Sequence, residues 1–117
     1  ELEPDFVIAI DALAGNEADK LCRSIQISTG GIAPGSGVKN DRMELNKHNL
    51  GVPVIAVGVP TVIDAGSLCG EKKLSEMFVT PRGIDSQVRS CARLIGYGIN
   101  MALHKGITIE DIDMLMG

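Results

Sequence analysis

FVIAIDALAG, residues 6–15, opens with an unbroken apolar run and then sets a single carboxylate, Asp11, before a string of small residues. A short run rich in β-branched side chains, bounded by small residues, reads as a buried strand. Such a strand has no structural need for an acid at its tip, so Asp11 is the first candidate for chemistry. A second run, VPVIAVGVPTVIDA at residues 52–65, repeats the device: an apolar strand, then Asp64, then Ala65. Ligands of open parallel sheets gather beyond the carboxyl ends of the strands, so two parallel strands would be expected to deliver Asp11 and Asp64 to one edge. Each acid also has a plainer reading, as the cap of a following helix.

The intervening sequence supports an α/β layout. NEADKLC, residues 16–22, reads as a short helix with Asn16 as its cap, and Ile25 to Ser28 alternates as a strand. TGGIAPGSGVKNDR, residues 29–42, is a long glycine-rich loop carrying Ser36, Lys39, Asn40 and Arg42. Loops of that length inside a domain are often binding or catalytic. It lacks the Lys-Ser/Thr ending of a phosphate-binding loop.

Further on, Thr80-Pro81 supplies a helix start, and Ile84, Val88, Ala92, Ile95, Ile99 and Leu103 recur at helical spacing until Gly106. Gly96 and Gly98 inside that helix point to close packing against another element. A last helix, residues 109–116, has Thr108 as its cap and Asp111 in the reciprocal position. Strands alternating with helices imply an α/β fold built on a doubly wound sheet.

Composition narrows the functional classes. The 117 residues are 44% hydrophobic but only 3% aromatic, which suits one core of aliphatic side chains. A net charge of −4 gives no basic footprint for nucleic acid and accommodates a neutral or basic polypeptide more easily. No stretch resembles a membrane span. Cys22, Cys69 and Cys91 are widely spaced and odd in number, the usage of a reducing compartment. The opening Glu1-Leu2-Glu3-Pro4 has neither initiator Met nor signal peptide and reads as an internal or processed start.

Several chemistries are weakly supported. PGSGV at residues 34–38 is not a nucleophile elbow, since it lies inside a loop. No spaced His/Glu pair suggests zinc, and His48 in LNKHNLG reads as an exposed loop histidine. The cysteines lack the neighbours that activate a thiolate. A strand-end carboxylate, in contrast, can act as general base toward water, above all when a second carboxylate shares its proton.

Five blocks, DFVIAIDALA, IQISTGGIAPGSGVKNDR, LGVPVIAVGVPTVIDA, MFVTPRGID and GINMALH, together resemble the germination proteases of spore-forming bacteria. The resemblance covers nearly the whole chain, in order. It implies an endopeptidase that degrades small acid-soluble spore proteins during germination, made as a zymogen, homotetrameric, and working in the cytoplasm of the spore core. It implies a three-layer, mostly parallel sheet similar to that of hydrogenase maturation proteases. It also implies an aspartic mechanism with no cofactor and no metal, in which Asp11 is one of two catalytic aspartates. The other belongs to an upstream Thr-Pro-Asp-Ala-Leu-Gly motif that residues 1–117 do not contain.

On that basis residues 1–117 are expected to form a single α/β protease domain lacking its amino-terminal part, inactive alone, and lacking an excursion near residues 66–77. Asp64 is the second choice as a catalytic, orienting or substrate-binding acid, and Gly35, Ser36 and Gly37 are expected to meet substrate through backbone amides. Ala33 stands where the family commonly has a His, which argues against a metal ligand there. The alternatives are a hydrogenase-maturation-like metal-binding protease using Asp11 as a ligand, and a non-catalytic relative that binds spore proteins.

Overall fold

The structure is a computed structural model describing residues 2–35, 42–74 and 77–116. The chain divides into two compact units, Glu1–Ile84 and Asp85–Gly117. The first is a mixed sheet. Strand β1 (Val7–Gly15) runs parallel to β3 (Val54–Asp64), whereas β2 (Gln26–Ser28) and β4 (Phe78–Val79) pair antiparallel with β3. Every described strand therefore pairs with β3, and the expected mostly parallel sheet is instead mixed around one parallel pairing. The α/β class stands, with short helices α1 (Lys47–Leu50) and α2 (Ala65–Cys69) flanking β3 in sequence.

Central placement explains why β3 reads as a nearly continuous apolar run. It is bonded along both edges, and Val54, Ala56, Val57, Val59, Pro60 and Ile63 are buried. Strand β1 alternates instead. Ala9 is buried and Asp11 and Leu13 are half-buried on one face, while Ile10, Ala12 and Ala14 are exposed on the other. The strand is also longer than the apolar run suggested, so Asp11 lies mid-strand, opposite Gly58.

Gly58 is required by what sits over it. A Cβ there would stand 2.3 Å from Leu13 Cδ1 and 2.7 Å from Leu13 Cγ, so the missing side chain is the seat of Leu13. Two residues later Pro60, which lacks an N–H, is tolerated in the central strand because the register shifts beside it, between Leu13 and Ala14. The chain after β1 turns back through a short 3-10 helix, Ala18–Lys20. This is shorter than the α-helix expected from residues 16–22, and Glu17 rather than Asn16 occupies the cap position. Cys22 then takes a left-handed φ of 58° and donates its N–H to the Pro60 carbonyl at 2.7 Å.

The second unit is a pair of helices, α3 (Ile84–Leu103) and α4 (Ile109–Met116). Helix α3 starts after Gly83, at φ 78°, so Thr80 does not cap it. The capping box of α4 forms as the sequence predicts: Thr108 N–H donates to Asp111 Oδ2 at 3.0 Å and Asp111 N–H to Thr108 Oγ1 at 3.2 Å. The two glycines of α3 part company. A Cβ at Gly96 would reach within 2.9 Å of Met116 Cε, whereas Gly98 faces open space. One polar cluster ties the helices together. Arg93 donates to the Tyr97 hydroxyl oxygen at 2.8 Å and to Asp113 Oδ1 at 2.6 Å, and the Tyr97 hydroxyl donates to that same oxygen. The Tyr97 hydrogen bond, aided by Arg93, holds the Asp113 carboxyl below the ordinary carboxylate range.

Two predictions follow from this packing. Gly58→Ala should lower the unfolding free energy by about 1–3 kcal/mol through overpacking, and Leu13→Ala in the same chain should recover part of the loss, as read by urea titration. Asp113 stabilises the folded state above its unfolded pKa of about 3.9, and that contribution disappears as pH falls through its lower folded value. Asp113→Asn should therefore be less stable than wild type near neutral pH, with the gap closing well below pH 4, in paired denaturation curves.

Candidate active site

The residue that the first strand puts forward is held by the loop that follows. Within β1, Val7 N–H donates to the Pro53 carbonyl at 2.9 Å, so alternate residues through Asp11 aim their backbone groups at β3. Ala12 aims its own away from β3, and there its N–H donates to Asp11 Oδ1 at 2.9 Å. The other carboxylate oxygen, Oδ2, accepts the N–H of Gly35 at 3.1 Å in a part-buried contact. An ionised carboxylate has about four acceptor positions, so two backbone donors orient the group and leave it able to take a water or share a proton.

Gly35 comes from the glycine-rich loop, 24 residues along the chain. The base of that loop is fastened by a bridge between Ile32 and Leu45, with bonds of 2.9 and 2.7 Å. Gly31 lies against the bridge at φ 97°, where a Cβ would fall 2.6 Å from the Leu45 carbonyl oxygen. Pro34 and Gly35 then form a turn, with Gly35 at φ 73°, a region glycine enters without steric cost. The structure thus brings Asp11 and Gly35 together. Ser36 and Gly37 lie outside the described residues.

Asp64 is elsewhere. Although β1 and β3 are parallel, Asp11 is level with Gly58 and Asp64 is the last residue of β3. Six residues at about 3.3 Å each put roughly 20 Å between them along the strand. The shared edge expected from the two strand ends is therefore not formed, because Asp11 is mid-strand and Asp64 terminal. Asp64 Oδ1 accepts the Ser67 N–H at 2.9 Å and caps α2. It also lines an open cavity of about 300 Å³ with Gly66, Ser67, Gly70 and Lys72.

His48 is exposed, but on α1 rather than in a loop, with Asn46 accepting the Asn49 N–H as the cap. The signals for that helix are Asn46 as its cap and Gly51, at φ 75°, just past its end. Among the described residues no three His, Cys, Asp or Glu side chains come together as a metal-binding group, and no helix is long and apolar enough to cross a membrane.

The family model described as germination protease matches residues 1–73, a span that includes Asp11, the whole glycine-rich loop and β3. The chain belongs to the germination protease family. Among its relatives, the germination protease of Clostridium perfringens (strain SM101 / Type A) is 33% identical over 156 residues, covering 99% of this chain and 48% of the relative. That of Caldanaerobacter subterraneus is 36% identical over 155 residues, covering 98% and 48%. That of Bacillus licheniformis is 46% identical over 112 residues, covering 94% and 30%. The chain spans about half the length of the clostridial germination proteases it matches, and less of the Bacillus one.

The capping geometry makes Asp64 testable apart from any chemistry. Asp64→Ala should cost about 1 kcal/mol of stability, while Asp64→Asn, which keeps an acceptor for the Ser67 N–H, should melt close to wild type in thermal unfolding.

Proposed function

We propose that this chain is the part of an aspartic endopeptidase that supplies one catalytic carboxylate, Asp11, and that the whole protein degrades small acid-soluble spore proteins in the cytoplasm of the germinating spore core. Family membership supports the peptidase reading. The observation that carries the site is the Asp11 carboxylate, oriented by one backbone N–H on each oxygen and half-buried on the covered face of β1.

In this reading an ionised carboxylate takes a proton from water as the water oxygen attacks the scissile carbonyl carbon. A second carboxyl, sharing the proton of the pair, hydrogen-bonds the carbonyl oxygen. The tetrahedral adduct then collapses, the C–N bond breaks, and a carboxyl proton passes to the leaving nitrogen. No cofactor enters. The partner carboxylate belongs to the Thr-Pro-Asp-Ala-Leu-Gly-type motif that the resemblance implies, outside residues 1–117. With one carboxylate, the isolated chain is expected to be inactive. Asp64, at its distance along β3, suits a role in holding substrate or α2 better than proton transfer. A zymogen precursor and a homotetramer complete the proposal by analogy with the family.

The test is cleavage of a small acid-soluble spore protein by the mature full-length enzyme in excess chelator. Asp11→Asn should lower turnover by about 10² to 10⁴ without altering the fold. Equal cleavage by variant and wild type would remove Asp11 from the mechanism, and loss of wild-type activity in chelator would favour a metal-dependent protease.

A further inference from the structure

We infer that Gly35 is a positioning residue for Asp11, and that the fastened glycine-rich loop fixes the direction of that carboxylate rather than only contacting substrate. The inference rests on the reading of Asp11 as catalytic, and three features of the loop lead to it. Its base is closed by the Ile32–Leu45 bridge, so the approach of residues 33–35 to β1 is set by paired backbone rather than by a free strand of loop. Pro34 fixes the backbone just before the contact. Gly35 then adopts φ 73°, and its N–H is directed at Asp11 Oδ2.

An N–H that donates to Asp11 is engaged there and is not a free donor for a substrate carbonyl. This reassigns Gly35 from the substrate-binding role expected of it. A carboxylate held at both oxygens by backbone groups also cannot rotate about its last side-chain bond without breaking a hydrogen bond. Because misplacing a reacting group by about 1 Å can cost on the order of 100-fold, such a restraint bears on turnover and not on binding.

The contact depends on a left-handed backbone, which Asn tolerates, Ala resists and β-branched Val resists more. In the whole protein the kcat should therefore fall in the order Gly, Asn, Ala, Val at position 35. Gly35→Val should lose about tenfold or more while KM stays level. Gly35→Pro, which lacks the N–H altogether, should be at least as impaired as Gly35→Val. A KM that rises with side-chain size while kcat holds would show that the loop meets substrate instead, and would overturn the inference.

A second readout does not depend on activity. With glycine-selective ¹⁵N labelling of the whole protein, the Gly35 amide proton should move with pH as a carboxylate titrates, and Asp11→Ala should abolish that movement. An amide that does not titrate, or that titrates equally in Asp11→Ala, overturns the contact. Normal cleavage by Asp11→Asn, with the Gly35 titration present in wild type and lost in Asp11→Ala, would instead overturn the catalytic reading of Asp11 and leave the loop contact standing.

Discussion

The sheet unit depends on β3, which pairs with β1 along nearly all of one edge and with the short strands β2 and β4 on the other. Its Gly58 has no side chain, and that gap seats Leu13 of the neighbouring strand. With Leu13 seated, β1 is locked in register against β3, and Asp11, two residues earlier on the same face, is carried to a fixed height beside Gly58. The position of the candidate catalytic group is in this sense a packing result. It follows from one missing methyl group on the central strand and one leucine that fills the space.

The same strand shows what a linear reading can see. The two long strands were legible because their apolar runs are local, and the α4 capping box because its two members stand three residues apart. Register was not legible. Nothing in residues 6–15 or 52–65 says that Asp11 faces Gly58 rather than a residue near Asp64, since that offset is set by Leu13 and Gly58 meeting across strands. Strand β4 has no sequence signature because two residues carry no periodicity, and the antiparallel pairing of β2 has none because direction is a property of topology. Asn16 as a cap failed because the turn after β1 uses a 3-10 helix and ties Cys22 to Pro60 instead.

The candidate site divides along the same line. Asp11 stood out locally as an acid in an apolar strand, and the loop stood out by its glycines. Their contact joins residues 24 positions apart and depends on the backbone of Gly35, so no pattern of side chains announces it. For Asp64 the local signal had two meanings, and the described hydrogen bond is the one to Ser67.

The connection between β3 and β4 has a different kind of consequence. It is pinched at its base, where Ala65 N–H meets the Met77 carbonyl at 2.7 Å and Asp64 pairs with Phe78. A stem closed in this way separates the length of the chain it spans from the geometry of the sheet below. Doubling the length of such a loop adds only about 0.6 kcal/mol of closure entropy. A pinched stem of this kind is a hinge for evolutionary change: lineages can lengthen or trim what lies above it, and so acquire or shed surface, without disturbing the strand that places Asp11.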